Sequence, residues 1–212
     1  MTTLNDKIRI LGKGLTAVAL KDKFPNATLY DDSDFNLYDS TSYEVTVVSP
    51  GIPPYNNMVL NSKNVVSDYD LFEDIIPFSI WISGTNGKTT TTQMCQHLLK
   101  EYNSVCGGNI GIPLSSMDEK APIWILETSS FTLHYTNKSK PNIYLLLPIS
   151  EDHITWHGSF KEYQDAKLKP LTLMNENEIA IIPEEFKDIK TNAQVITYKN
   201  SDDLCEHFNI EK

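Results

Sequence analysis

The chain has 212 residues, of which 40% are hydrophobic and 22% are charged, and its formal net charge is −10. This length and composition suit one large globular domain or two small ones, and they exclude a disordered acidic tail. Because a phosphate backbone would be repelled and no cluster of Lys and Arg stands out, we expect no nucleic-acid partner.

The number of cysteines and the lengths of the apolar segments indicate in which cellular compartment the protein is expected. The three cysteines are Cys95, Cys106 and Cys205, an odd number without a C-x-x-C pair, which argues against a disulfide framework or a zinc cluster. The N-terminus lacks a signal-peptide core, and no segment approaches about 20 consecutive apolar residues. We therefore expect a cytoplasmic protein without a membrane partner, and we expect a monomer.

The first 77 residues alternate short β-branched runs with longer amphipathic ones. The pattern predicts strands at 7–11, 27–31, 43–49 and 64–66 and helices at 15–24 and 68–75. Asp68 is the predicted cap of the second helix. This block has βαβ character and ends at Pro77.

The remaining residues repeat the alternation on a larger scale. Here the pattern predicts strands at 78–83, 104–107, 122–127, 142–148, 178–183 and 194–198 and helices at 88–102 and 159–174. No closing element is predicted for residues 200–212. Strands that alternate with helices predict an α/β fold with parallel sheets and crossover helices.

A glycine-rich turn, "LGKGLTA", follows the first predicted strand and places Gly12, Gly14 and Ala17 at dinucleotide-fingerprint spacing. Asp31 and Asp32 follow at the end of the next strand. Such a turn presents backbone N–H groups at a helix N-terminus, where a diphosphate is stabilised. The turn favours a nucleotide diphosphate; NAD(H) and a purely structural turn remain alternatives.

A second glycine loop, "SGTNGKTT", follows the strand at 78–83 and is shorter than the usual G-x-x-x-x-G-K-[ST] pattern. Gly84 and Gly87 let successive N–H groups point at phosphate oxygens. Lys88 can follow the β- and γ-phosphates, and a hydroxyl of Thr89 or Thr90 can bind Mg²⁺. The loop predicts nucleotide binding.

Acidic and imidazole side chains follow two other buried strands. Glu127 ends one strand, a position that suits a ligand and a solvated rim equally well. After the next strand come Glu151, Asp152, His153 and His157. A lone loop histidine is usually solvated, but four such groups at one strand end favour a metal site.

Together these motifs resemble the Mur ligases, the ATP-dependent amide-forming enzymes of peptidoglycan precursor synthesis. The G-T-N-G-K-T loop is their form of the phosphate loop, which folylpolyglutamate synthetases share. "GGNIGIP" and "LETSSFTL" are most similar to the branch that adds D-glutamate. "EDHITWHGSFKEYQDAK" resembles the Mur segment whose final lysine is carbamylated in several members. The resemblance spans residues 8–182.

The resemblance implies a Rossmann-like UDP-sugar-binding domain over residues 1–77 and a partial P-loop-type central ATPase domain over 78–212. It implies that ATP phosphates are bound by Gly84, Thr85, Asn86, Gly87, Lys88, Thr89 and Thr90. The UDP-substrate site would comprise Gly12, Gly14, Leu15, Thr16, Asp31, Asp32, Ser33, Ser49, Pro50, Gly51, Asn109 and Ser129. Two Mg²⁺ ions would be held by Thr89, Glu127, His153 and a carbamylated Lys167, with Lys88, His153 and Lys167 as catalytic residues. An unmodified Lys167 would be only a helix-surface lysine.

The implied reaction joins D-glutamate to UDP-N-acetylmuramoyl-L-alanine through an acyl phosphate made with ATP. Another Mur ligase, a folylpolyglutamate-synthetase-like ligase and a dinucleotide-binding protein remain alternatives. Thr132, Pro148 and Thr155 depart from the family pattern, in which glutamine, asparagine and an acid are usual. Because nothing corresponds to the family's third domain or to the end of its central domain, we expect a fragment that is inactive alone.

Overall fold

The computed structural model describes residues 7–38 and 44–210. Its first sheet has four parallel strands in the order β2-β1-β3-β4. The strands are β1 (Ile8–Leu11), β2 (Thr28–Tyr30), β3 (Val45–Val48) and β4 (Val65–Val66). The helices of this part are α1 (Leu15–Lys23), α2 (Asn57–Leu60) and α3 (Asp68–Leu71), with a 3₁₀ helix at Asp32–Leu37.

The second sheet has six parallel strands in the order β10-β9-β8-β5-β7-β6. The strands are β5 (Phe78–Ser83), β6 (Ser104–Gly108), β7 (Ile123–Glu127), β8 (Ile143–Leu146), β9 (Ile179–Pro183) and β10 (Gln194–Tyr198). The helices are α4 (Lys88–Leu99), α5 (Ser130–Tyr135), α6 (Ile154–His157), α7 (Phe160–Leu173) and α8 (Ser201–Phe208), with 3₁₀ helices at Lys100–Tyr102, Leu114–Ser116 and Glu184–Phe186.

The order of the strands in the second sheet determines which loops lie next to one another. After β5 the chain crosses to β6 on one side, and it later returns to β8 on the other, so β5 is flanked by β7 and β8. Such a switch point opens a crevice at the carboxyl ends of the strands, which all lie at one edge of a parallel sheet. The segments that follow β5, β7 and β8 therefore meet at this edge.

One apolar core joins the two sheets. Buried side chains of the first part, among them Ile10, Val47 and Phe72, belong to the same cluster as Leu126 of the second. Tyr69 of α3 packs edge-on against Trp81 of β5, with ring centroids 4.7 Å apart. Aromatic pairs of this geometry add to the stabilisation from buried area. Helix α3 therefore contributes to the packing between the two sheets.

The predicted α/β fold with parallel sheets is confirmed, and most strands lie within two residues of their predicted bounds. Two local predictions were wrong. Ser67, and not Asp68, caps α3, because its Oγ accepts the Asp70 N–H, and α3 ends at Leu71. The acidic end of the chain does form a closing element, α8, whose Asn200 and Asp203 side chains make a reciprocal capping box.

In the described part of the chain, no helix combines the length and the apolar character needed to cross a membrane.

Candidate functional site

The loop after β5 curls because two glycines adopt conformations that other residues avoid. Gly84 has φ +145°, and a Cβ there would lie 2.5 Å from the Leu147 Cβ. Gly87 has φ +82° and is the N-cap residue of α4. Positive φ costs glycine little, so the loop can deliver the first turn of α4 to the edge of the sheet with its free N–H groups outward.

Thr85 fastens this loop to the segment after β8. Its Oγ1 donates to the Ser150 carbonyl oxygen at 3.0 Å and accepts the Ser150 N–H at 2.9 Å. The Thr85 N–H donates to the Pro148 carbonyl oxygen at 3.2 Å. The Tyr163 hydroxyl of α7 lies 3.0 Å from the same Oγ1. The loop is thus held between two neighbouring segments, while Asn86 remains exposed.

Two lysines share one carbonyl oxygen beneath the loop. The Lys88 Nζ donates to the carbonyl oxygens of Gly84 at 3.0 Å and Thr85 at 2.8 Å. The Lys167 Nζ donates to the same Gly84 oxygen at 2.8 Å and lies 4.8 Å from the centre of the Tyr163 ring. The side-chain nitrogens of two lysines therefore converge on one backbone oxygen of the loop.

Lys167 is not the surface lysine that the sequence suggested, because only 1% of it is exposed. Burial, together with a smaller effect of the neighbouring Lys88 charge, lowers the pKa of the Lys167 amine to about 7. Near neutral pH a large fraction of this amine is unprotonated. An unprotonated amine is a nucleophile, which a surface lysine at ordinary pKa is not.

Glu127 ends β7 and is 3% exposed. Its Oε2 accepts the Thr89 hydroxyl at 2.8 Å, and its Oε1 accepts the Asn109 amide at 3.0 Å. Hydroxyl and carboxylate oxygens are the ligands that Mg²⁺ prefers, so this pair beside the glycine loop fits that ion. Thr90 is exposed on the next position of α4.

His153 lies at the mouth of the site. Its ring centroid is 4.7 Å from that of Phe131 and its Nε2 is 3.5 Å from the Asp152 carboxylate. His157 points inward instead, with its Nε2 3.0 Å from the Ser130 Oγ. Among the described residues no three His, Cys, Asp or Glu side chains converge on a metal position. The grouping of Glu151, Asp152, His153 and His157 as one metal site was therefore wrong.

A cavity of about 430 Å³ lies between the two sheets. Its walls come from the turn after β1, the turn after β3, the loop after β6 and the N-terminal residues of α3. Eight of the residues assigned to the UDP-substrate site line it: Gly12, Gly14, Leu15, Thr16, Ser49, Pro50, Gly51 and Asn109.

The other four assigned residues lie differently. Asp31 pairs with Lys13 at 2.6 Å and accepts the Ser33 N–H at 3.0 Å, and the Lys13 hydrogen bond and the Ser33 hydrogen bonds lower the Asp31 pKa to about 2. Lys13 itself lines the cavity. The Asp32 side chain lies outside the described part of the chain. Ser129 is buried as the N-cap of α5, where its Oγ accepts the Thr132 N–H at 3.1 Å.

Sequence reasoning did not assign nine residues that line the same cavity: Lys13, Ile52, Asp68, Tyr69, Gly108, Ile110, Gly111, Pro113 and Thr132. It read Asp68 only as a helix cap and Thr132 only as a departure from a pattern. No spacing signal could have placed α3 against the loop after β6, because that contact depends on how the two sheets dock.

Residues 82–212 match the family profile described as the Mur ligase middle domain. UDP-N-acetylmuramoylalanine–D-glutamate ligase of Campylobacter jejuni strain RM1221 is 46% identical over 223 aligned residues, which cover 97% of this chain and 56% of that protein. The chain thus spans about half the length of the curated relatives it matches.

Two solved structures share the fold. UDP-N-acetylmuramate:L-alanyl-gamma-D-glutamyl-meso-diaminopimelate ligase from Neisseria meningitides aligns with a TM-score of 0.58 at 14% identity, over 92% of this chain and 78% of that chain. MurF ligase from Thermotoga maritima, solved in complex with ADP, aligns with a TM-score of 0.51 at 16% identity, over 93% of this chain and 51% of that chain.

Proposed function

The chain belongs to the Mur ligase family, and we propose that it is the substrate- and ATP-binding part of an ATP-dependent ligase that adds D-glutamate to UDP-N-acetylmuramoyl-L-alanine. The C. jejuni relative carries the name of that activity. Because the chain spans about half of that relative, the complete reaction belongs to the longer protein. Residues 1–77 form the UDP-sugar domain of this proposal, and 78–212 form the central domain.

The nucleotide diphosphate of the sugar substrate binds in the cavity between the sheets. Gly12 and Gly14 turn the chain into α1, so that N–H groups at the start of this helix can bind the diphosphate. Asn109, which also lines the cavity, is held by Glu127. This contact connects the substrate cavity to the phosphate loop, as in-line attack on ATP requires.

ATP binds at the Gly84–Thr90 loop. Backbone N–H groups at the start of α4 receive phosphate oxygens, and Lys88 leaves its carbonyl partners to pair with the β- and γ-phosphates. The substrate carboxylate then attacks the γ-phosphate, which breaks the bond to ADP and forms an acyl phosphate. The amine of D-glutamate displaces phosphate from it and forms the amide. Charge neutralisation and positioning lower the barrier to bringing two anions together.

Magnesium would be held by Thr89 and Glu127, with His153 and a carbamylated Lys167 serving a second ion. When bound, the metal neutralises phosphate charge and orients the transferred group. The unprotonated Lys167 amine can add CO₂ and release a proton to form a carbamate, which replaces a buried neutral amine with an anion next to Lys88. Tyr163 and the Gly84 carbonyl oxygen hold that side chain in place.

The observation that carries this proposal is the hydrogen bond of 2.8 Å between Thr89, in the first turn after the phosphate loop, and the buried Glu127. It joins a phosphate-binding loop to a magnesium-type carboxylate at the switch point of a parallel sheet. A Rossmann-type oxidoreductase would bind its dinucleotide at the Gly12–Ala17 turn, and its reaction would not require the second glycine loop at Gly84–Thr90.

The test is calorimetric titration of the 212-residue chain with UDP-N-acetylmuramoyl-L-alanine, Mg-ATP and NADH. We expect saturable binding of the first two, and we expect Lys88→Ala to weaken Mg-ATP binding at least tenfold while UDP-sugar binding is unchanged. Lys100→Ala, an exposed lysine directly after the same helix, is the matched control. The proposal would be contradicted if the chain bound NADH but not the UDP-sugar. It would also be contradicted if Lys88→Ala bound Mg-ATP as tightly as the wild type.

A further inference from the structure

The cavity between the sheets contains an acidic side chain that the ligase proposal does not use. Asp68 is the first residue of α3, and it lines the cavity together with Asn109 and Thr132. Only 6% of Asp68 is exposed. A buried carboxyl beside a substrate cavity costs stability unless something balances its charge or its hydrogen bonds, so its position calls for a partner.

Among the residues that the structure describes, few groups balance the charge of Asp68. The backbone N–H groups of Asp68 and Tyr69, at the start of α3, favour the charged form of its carboxyl and so act to lower its pKa. A carboxylate has about four lone-pair positions, so two donors from its own backbone leave further capacity on the side of the cavity. Lys13, a cation that also lines the cavity, is paired with Asp31 at 2.6 Å and Asp34 at 3.4 Å.

The electrostatic surroundings point to a neutral donor as the missing partner. Burial, together with a smaller effect of the Asp70 charge, raises the pKa of the Asp68 carboxyl to about 7. A phosphate beside this group would add repulsion, so the diphosphate belongs at the N–H groups of the Gly12–Thr16 turn instead. What remains for Asp68 is the part of the ligand that carries neutral O–H or N–H donors.

We propose that Asp68 is a specificity residue of the cavity, which accepts a hydrogen bond from a hydroxyl or amide N–H on the sugar of a nucleotide-diphosphate sugar. This inference rests on the proposed function, because it assumes that the UDP-sugar occupies the cavity. A site that hydrogen-bonds a ligand group discriminates strongly against an analogue that lacks it, because the buried acceptor is then left unpaired. Asp68 therefore lets the cavity distinguish a UDP-sugar from UDP.

The test compares the affinities of UDP-N-acetylmuramoyl-L-alanine and UDP for the 212-residue chain and its variants. We expect Asp68→Ala to weaken UDP-sugar binding at least tenfold and UDP binding by less than twofold. Asp68→Asn retains the shape and one acceptor oxygen, so its loss should be smaller and in the same direction. Asp74→Ala removes an exposed carboxylate just beyond α3 and should leave both affinities unchanged.

The outcomes separate this inference from its premise. If the wild-type chain binds neither ligand, the UDP-sugar function fails and this inference fails with it. If it binds both but the Asp68 variants lose them in equal proportion, or lose neither, the function stands and the specificity role is overturned. If Asp68→Ala does not fold, the same comparison of UDP-sugar and UDP affinities is made with Asp68→Asn, which keeps the side-chain volume.

Discussion

His157 lies below the surface with 7% of its area exposed, and its Nε2 is 3.0 Å from the Ser130 hydroxyl. Its Nδ1 has no hydrogen-bond partner among the described residues. Burial lowers the pKa of His157 to about 4, and the charges of His134, His153 and Lys167 act in the same direction. The imidazole is therefore neutral in the folded protein at any pH near neutrality, and its role is to fix Ser130 at the start of α5.

This burial predicts a pH-dependent stability. Between pH 6.5 and about 4 the unfolded chain binds a proton at His157 that the folded protein does not, so the free energy of unfolding falls as the pH is lowered. The slope from this residue is at most about 1.4 kcal/mol per pH unit. Urea unfolding at pH 7.5 and pH 5 should show a smaller loss for His157→Phe than for the wild type.

The control for that experiment is His97→Gln, which changes an exposed histidine near the end of α4. Its loss of stability between the two pH values should equal that of the wild type. Equal losses in the wild type and His157→Phe would show that His157 titrates normally in the folded protein.

At the scale of elements, the glycine loop at Gly84–Thr90 depends on the close approach of β5 and the segment after β8. Gly84 has φ +145°, which is essentially restricted to glycine, and its Cα faces Leu147. A methyl group there would overlap the Leu147 Cβ at 2.5 Å. Any side chain at this position must therefore separate the loop from β8 or change its backbone.

Gly84→Ala should lower the free energy of unfolding by about 3 kcal/mol, as backbone strain and overpacking each contribute roughly 1–3 kcal/mol. Gly51→Ala is the matched control, since a Cβ there meets nothing within 4 Å, and its effect should stay within about 0.5 kcal/mol. Thermal and urea unfolding measure both. Equal stability of the two variants would mean that the loop relaxes without cost.

Some secondary-structure elements of this protein can be predicted from its sequence and others cannot. The strands of both sheets were predictable because β-branched runs between turn residues are a local signal. Helix α8 was missed because its capping box uses Asn200 and Asp203 in place of the usual Ser or Thr with Glu or Gln. The burial of Lys167 could not be predicted, because it depends on α7 packing over Gly84, which lies 83 positions away in the sequence.

For the whole molecule, the two sheets are held together by more than their shared core. The Asp70 carboxylate of α3 accepts three backbone N–H groups from the segment after α5, those of Asn137 at 2.7 Å, Lys138 at 2.9 Å and Ser139 at 2.9 Å. The Ser67 N–H donates to the Tyr135 carbonyl oxygen at 3.1 Å. The cavity walls are therefore fixed relative to one another before any ligand binds.

We expect the 212-residue chain to unfold in one transition, with tryptophan fluorescence and far-UV circular dichroism giving coincident urea curves. All three tryptophans lie beyond residue 77, so a first sheet that unfolded separately would make the two curves differ.

Asp70→Ala should lower the free energy of unfolding by about 2 kcal/mol, since it leaves N–H groups without their acceptor. A stability equal to that of the exposed-site variant Asp74→Ala would show that this contact contributes nothing.

The Gly84 carbonyl oxygen is shared by the amino groups of Lys88 and Lys167, so nucleotide binding at this loop, as proposed above, would be coupled to proton binding. In the unmodified chain, a phosphate at the loop offsets the repulsion that lowers the Lys167 pKa, so the bound state holds protons more tightly than the free state. Binding near neutral pH should then draw protons from solution, and the heat of binding should vary with the ionisation enthalpy of the buffer. Proton uptake of this kind would make the affinity of the loop for a nucleotide depend on pH.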